Sequence, residues 1–298
     1  MASARRQRSS SPAVRVVLVH WNQPERLRRT VEAFLASEGV DVRITVVDNA
    51  STSGPDDEVA GHAEVDVVQS GANVGFGPGA NLGLGRFLDD AGDGPYVAVA
   101  PHDALPAPDC LRRIVAALDD RPDAGLACAD YGDGVTPVVD PYFGGIPAPA
   151  TVTEGWEAAG YPHGTLLVAR RDCLRDIGLF DERYFSYCEE ADLGVRARAA
   201  GWDVGLVRGA IVHNPELHGA LAAVSYLQLR NTLLLVREHS GCYHAGIRFQ
   251  LALWQLGLGL VWPARRDPYW HVEGKVRAMV DFARGRFGPP PADLLTSR

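Results

Sequence analysis

The sequence predicts an α/β fold, a mostly parallel sheet flanked by helices, followed by a helical C-terminal extension. Three observations carry this. Short runs rich in β-branched residues alternate with segments of helical periodicity, the pattern of strand–helix–strand units. The runs are continuously apolar, as strands buried on both faces are. Several end in polar residues, at the edge where sheets of this kind bind ligands. With 298 residues, 46% hydrophobic and 22% charged, the chain is long enough for one large domain or for a domain with an appendage.

VRVVLVHW (14–21) is the first strand. Residues 24–37 then place Leu27, Val31, Phe34 and Leu35 on one face of a helix. VRITVVDNA is the second strand, with a short helix over 56–62, and VDVVQS is the third. A helix over 80–88, the strand YVAVA and a helix over 110–118 follow. Between 132 and 164 the periodicity fails. A stretch so rich in Gly and Pro is expected to be a long loop or small insertion, a usual place for substrate contacts. TLLVAR resumes the sheet, 170–177 is a short helix, and CEEADLGVRARAAG opens an amphipathic helix before a strand that ends at His213. Beyond it come a helix over 220–239, the apolar stretch FQLALWQLGLGLVWP and an amphipathic helix over 272–282.

Composition excludes some functions. A net charge of -8 has the wrong sign for a nucleic-acid binder. Cys110, Cys128, Cys173, Cys188 and Cys242 lie far apart with no CxxC pair, which suits a reducing compartment and gives neither a zinc site nor a disulfide framework. MASARRQRSSSP is not followed by an apolar core long enough for a signal peptide, so residues 1–12 are expected to be the disordered tail of a cytoplasmic protein. RFQLALWQLGLGLVWPARR falls short of the roughly twenty apolar residues of a membrane span. Its tryptophans and flanking arginines suit peripheral contact with the inner face of a membrane through about 248–266, and equally a helix buried against the domain.

The chemistry is expected at the acids near strand ends. Asp48 and Asn49, in VVDNAST, end the second strand. GANVGFGPGANLGLG then offers glycines at 71, 75, 77 and 79 for close backbone approach to a ligand, with the amides of Asn73 and Asn81 beside them. Gly75 to Ala80 also fits G-x-G-x-x-A, but a complete strand–helix–strand unit precedes it and Pro78 removes an amide donor, which argues against a dinucleotide site. Asp103, in APHDALP, is either a turn residue or an oxygen ligand for Mn²⁺ or Mg²⁺ shared with phosphate oxygens. His213 gains weight as a metal ligand beside it, and His163 adjoins the irregular segment. Glu189, Glu190 and Asp192 cluster at a helix start, where the dipole favours acids. The aromatic approach FDERYFSY, Tyr187 included, can desolvate a carboxylate so that it serves as general base towards a hydroxyl.

Taken in order, VVDNAST, GANVGFGPGANLGL, a strand ending in PHDA, GTLLVARR, IGLFDERYFSYCEEADLGVRARAAGW and AIVH resemble family 2 nucleotide-sugar glycosyltransferases, and most of all their bacterial rhamnosyltransferase-like branch. The resemblance runs from about Val14 to about Arg237. It implies a GT-A fold over 13–219, a Rossmann-like donor half (about 13–130) merged with an acceptor half (about 131–219), and then the helical region over 220–298. It implies donor contacts at Asp48, Asn49, Asn73, Gly75, Asn81 and Asp103, and a divalent cation (Mn²⁺ or Mg²⁺) at Asp103 and His213. Glu190 is the implied base, with Glu189 as the alternative, and His163, Tyr187 and Asp192 face the acceptor. The implied reaction is an inverting transfer of a sugar, such as the deoxyhexose rhamnose, from a dTDP-, UDP- or GDP-linked donor to a hydroxyl of a glycan, lipid-linked or natural-product acceptor. Two departures stand out: the DXD-like element keeps one carboxylate, with Pro101 and His102 before it, and the base is Glu instead of Asp. They motivate a competing reading, a non-catalytic GT-A domain that binds a nucleotide or acts as a scaffold.

Overall fold

The computed structural model describes residues 11–90, 92, 94–214 and 220–296. Of the tail expected over 1–12, residues 1–10 lie outside them, as does His218. The first half runs β1 (Ala13–His20), α1 (Pro24–Leu35), β2 (Asp41–Asp48), α2 (Asp57–Ala60), β3 (Val65–Gln69), α3 (Phe76–Asp89), β4 (Tyr96–Pro101), β5 (Leu105–Pro106) and α4 (Cys110–Asp119). The second runs β6 (Ala124–Asp130), β7 (Val135–Asp140), β8 (Gly144–Pro149), β9 (Gly155–Ala158), β10 (Leu167–Arg170), α5 (Arg171–Ile177), α6 (Glu189–Ala199) and β11 (Asp203–His213). The chain closes with α7 (Leu221–Val261), α8 (Val272–Ala283) and α9 (Ala292–Thr296).

One sheet takes the order β3-β2-β1-β4-β10-β6-β11-β5, with β9 also paired to β11. The pairs β1–β2, β2–β3, β1–β4 and β6–β11 are parallel, and β10 is antiparallel to both β4 and β6. The continuous apolar run of β1 is explained by burial on both faces. Val14, Val16 and Leu18 pack with Leu27 and Phe34 of α1 and Ile114 of α4. Val17 and Val19 pack on the other side with Leu84 and Phe87 of α3, Leu174 of α5 and Leu193 of α6.

The glycine-rich segment begins a helix four residues earlier than periodicity indicated. Pro78 sits in its first turn, where the missing N–H leaves no hydrogen bond unmade. Gly83 rests on β1, and a Cβ there would come 2.5 Å from Val17 Cγ1. Close helix–sheet packing therefore accounts for much of this glycine content.

The 132–164 segment, expected as a loop or small insertion, is built around the antiparallel β7–β8 hairpin, with β9 added to the main sheet. Pro137, Pro147 and Pro149 are tolerated because a two-stranded ribbon has open edges. Arg208 of β11 fastens the insertion: its Nε donates to Glu157 at 2.6 Å, its Nη1 to Asp130 at 3.0 Å and its Nη2 to Thr136 at 2.6 Å, all buried. Burial opposes the Glu157 charge, but hydrogen bonds from Thr151 and Arg208 hold its carboxyl down to about 2.

The helix expected over 220–239 and the apolar stretch after it meet in α7, whose axis breaks at Gly241 (φ 88°, ψ 169°). The first half of α7 packs on α8 through Tyr226, Leu229 and Met279. The second half exposes Leu253, Trp254, Leu260 and Val261, with Trp262 just beyond it. Among the described residues no helix is long and apolar enough to cross a membrane.

Candidate active site

A cleft of about 320 Å³ opens beyond the carboxyl ends of β1 and β4, the edge where the sequence put its acids. Val19, Pro101 and His102 line its base, Asn73, Gly75 and Phe76 one wall, and Tyr187 another. Ala223, Val224 and Leu227 of α7 also reach it. Trp21 and Gln23, after β1, complete the rim.

Asn49 holds the 73–75 turn in place. Its Nδ2 donates to Asn73 Oδ1 (3.1 Å) and to the Gly75 carbonyl (2.9 Å), and its Oδ1 accepts from the Val74 amide (3.0 Å). Gly75 adopts φ 96°, and a Cβ there would overlap the Phe185 carbonyl, so this turn requires glycine. Asp48 is buried just behind the cleft, where its Oδ1 accepts from the Ser51 amide (3.2 Å). Facing it on β1, His20 is fully buried with neither ring nitrogen hydrogen-bonded. Burial and the neighbouring His102 push its pKa down to about 4, against the pull of Asp48.

Asp103 lines the cleft. Its Oδ2 lies 3.9 Å from Arg26 Nη1, and its Oδ1 accepts from Asn214 Nδ2 at 3.4 Å. The β5–β11 ladder sets His213 opposite Leu105, which brings the residue before Asn214 to the same edge. Among the described residues no three His, Cys, Asp or Glu side chains gather to hold a metal by themselves. The donor set nevertheless suits a hard cation: the Asp103 carboxylate and a buried Asn214 Oδ1 with no partner, with His213 next to Asn214 in the chain. Phosphate oxygens and water would complete the shell.

Glu189 and Glu190 open α6, each with a buried, unpartnered carboxylate oxygen. Burial raises the pKa of both and brings Glu190 to about 7; the Glu190 charge further opposes ionisation of Glu189. Three phenols surround the pair. Tyr131 and Tyr187 are within electrostatic reach of both Glu190 and Asp103, which joins the acid pair to the cleft, and Tyr161 is within reach of Glu190. His163 stacks on Tyr131 at 4.2 Å, with Nε2 2.6 Å from the Ala129 carbonyl, and burial lowers its pKa to about 4.

The structure thus gathers Asn49, Asn73, Gly75, Asp103 and Tyr187 around the cleft, with His213 at its edge. The acid pair and His163 lie alongside. Two of the expected residues are occupied elsewhere. Asn81 bonds the Phe180 backbone in both directions (2.9 and 3.0 Å) and so ties α3 to the segment before α6. Asp192 is buried between Arg196 Nε (2.8 Å) and His239 Nε2 (2.7 Å), with no carboxylate oxygen left for an acceptor. Of the other glycines, 77 and 79 pack on Glu189 and Val19 instead of lining the cleft. Sequence reasoning missed Trp21, Asn214 and Tyr131. Asn214, one residue after His213, was the most accessible of these.

The sequence profile described as glycosyl transferase family 2 matches residues 15–178. The chain is 27% identical over 270 residues to an N-acetylglucosaminyl-diphospho-decaprenol L-rhamnosyltransferase of Mycobacterium tuberculosis, covering 79% of this chain and 88% of that protein. Among solved structures, a mannosyltransferase from Pyrobaculum calidifontis in complex with GDP-Man and Mn²⁺ superposes with a TM-score of 0.59 at 16% identity, over 93% of this chain and 88% of the other. GalNAc-T7 with UDP, GalNAc and Mn²⁺ gives a TM-score of 0.63 at 14% identity, over 92% of this chain and 55% of the other. Both likenesses are to GT-A folds. The chain is a rhamnosyltransferase-like glycosyltransferase and belongs to glycosyl transferase family 2.

Proposed function

We propose that the protein is an inverting, divalent-cation-dependent transferase that moves a deoxyhexosyl group, such as rhamnosyl, from a nucleoside diphosphate to a hydroxyl of a lipid-linked saccharide. The observation that carries this is the desolvated acid pair beside the cleft, with the Glu190 pKa brought to about 7. A carboxyl tuned to that range is half ionised near neutrality and still basic enough to take a proton. The Mycobacterium tuberculosis relative supports the class of acceptor through its name.

In this reading the donor lies in the cleft, its base near Asp48 and Asn49 and its diphosphate near Asp103. Glu190 accepts the proton of the acceptor hydroxyl. The oxygen attacks the anomeric carbon from the face opposite the diphosphate, forming the new C–O bond as the old one breaks. A cation held by Asp103 and Asn214, with His213 beside them, would neutralise the charge that develops on the departing nucleoside diphosphate.

The test is thermal unfolding with UDP, dTDP and GDP, each with and without Mn²⁺, followed by transfer assays. A nucleotide at a hundred times its dissociation constant adds about 2.7 kcal/mol of stability, a clear rise in Tm. A metal-dependent rise with one nucleotide is expected, absent in Asp103→Asn and kept in Glu190→Gln, which loses transfer. Full turnover in Glu190→Gln would remove the base assignment. Nucleotide binding with no transfer by the wild type from any donor sugar would favour the scaffold reading.

A further inference from the structure

A second cavity, of about 550 Å³, opens between the two halves of α7, the turn at Pro263–Arg265 and α8. Arg248, Arg265, Arg266 and Lys275 line it, against the single carboxylate of Asp267. Lys275 takes that carboxylate at 2.8 Å, so the cavity keeps a surplus of guanidinium charge. Arg248 is half-buried. Its Nε is shut off from solvent without a hydrogen-bond partner, its Nη1 lies 3.5 Å from Gln255 Oε1, and burial lowers its pKa below the usual guanidinium range. A cation held in this way is costly unless an anion meets it.

Two features say what kind of anion. The cavity adjoins the acid pair: Thr232 Oγ1 in its wall lies 3.8 Å from the Sγ of Cys188, the residue before Glu189, and Tyr269 is within electrostatic reach of Tyr187. The Phe143 ring at the hairpin tip lies 5.7 Å from the Arg248 guanidinium. The same half of α7 that carries Arg248 also exposes Trp254, Leu260 and Val261, and Trp262 leads straight into the turn bearing Arg265. Exposed tryptophans beside a basic cavity fit a lipid interface with an anionic headgroup at its surface. A net charge of -8 makes the rest of the chain a poor general anion binder, so the attraction is local.

We propose that this cavity binds the diphosphate of a polyprenyl-linked acceptor, drawn from a bilayer on which the exposed face of the second half of α7 rests. The proposal builds on the transferase reading above and assigns it an acceptor subsite. Arg248 and the rim arginines hold the diphosphate by charge-assisted hydrogen bonds, and the sugar attached to it extends past Cys188 towards Glu190.

The test is flotation of the full chain with phosphatidylcholine vesicles. The vesicles are left plain, doped with a small fraction of a polyprenyl diphosphate, or doped with phosphatidylglycerol to the same charge. Inorganic pyrophosphate is titrated separately. Selective binding to the polyprenyl diphosphate vesicles is expected. Arg248→Gln should weaken it about tenfold, the loss of one hydrogen bond to a charged group, while keeping the nucleotide-induced rise in Tm. Arg265→Ala with Arg266→Ala, on the exposed rim, gives a second route to the same loss should Arg248→Gln fail to fold. Equal binding to phosphatidylglycerol vesicles, equally tight inorganic pyrophosphate, or undiminished binding by both variants would each overturn the proposal. Its failure with the nucleotide response intact leaves the transferase reading standing, and loss of that response in the wild type strikes the transferase reading itself.

Discussion

Glu189 and Glu190 sit at a helix start whose dipole favours negative charge by about 0.3–1 kcal/mol, yet burial outweighs it, because desolvation can move a carboxyl by several pH units. Mutual repulsion adds to burial in opposing a second charge on the pair. The kcat/KM of transfer should therefore rise with pH through about 7. If Glu189→Gln abolishes transfer and Glu190→Gln does not, the roles are reversed. The sign for stability is opposite. Both groups bind protons more tightly folded than unfolded, so the stability they permit is whole below the usual glutamate value of 4.5 and is lost as pH rises through about 7. The Tm difference between wild type and Glu189→Gln/Glu190→Gln should change across that window, and a flat difference would mean the pair is not desolvated. At this scale the sequence was half legible. The spacing put the acids and their aromatic approach together, but it could not tell that Asp192 is consumed by Arg196, one turn along, and by His239, 47 residues away.

The segment that delivers those acids is bent by its neighbours. Phe185, Tyr187 and Cys188 all have positive φ (65°, 70° and 72°), which for side-chain-bearing residues costs on the order of 1–3 kcal/mol each. What offsets this comes from α7. The buried Asn231 Nδ2 donates to the carbonyls of Tyr184, Ser186 and Tyr187 at 2.7–2.9 Å, and Arg230 Nη2 approaches the first of them at 3.4 Å. Asn231→Ala should cost about 1–3 kcal/mol in denaturant unfolding, since it leaves buried carbonyls unpaired. It should also lower kcat more than it raises the donor KM; an unchanged rate would mean the segment holds its shape without α7. No local signal announces this role, because the partners lie 44–47 residues apart. Periodicity failed for a different reason at the β7–β8 hairpin. A two-stranded ribbon lets Pro and Gly stand in its strands, so the composition that marks a loop elsewhere is compatible with pairing here.

Across the whole molecule the order of helices and strands was readable because each strand of the parallel portion fills two cores at once. What was not readable is the reversal at β10, a strand with the same apolar run that enters antiparallel between β4 and β6. Because of it, the start of β10 comes to the edge where the parallel strands end. Tyr131, leaving β6, and Thr165, entering β10, meet there through their hydroxyls. Arg208 secures the segment between them to β11, beside the β9–β11 pairing, while the hairpin tip meets α7. Arg208→Met should destabilise the fold by about 3–5 kcal/mol in chemical denaturation, because Asp130 and Glu157 are left as uncompensated buried charges. A loss under about 1 kcal/mol would show that the seam relaxes to admit water. The hairpin is thus a cassette, entering and leaving the sheet at one doorway, latched to β11 by Arg208 and resting its tip on α7. Its inheritance can be uncoupled from that of the nucleotide pocket. Chimaeras that trade residues 132–150 between relatives while keeping Glu157 and Arg208 should retain the parent's donor and take on the other's acceptor, a route by which one scaffold diversifies its products without rebuilding its chemistry.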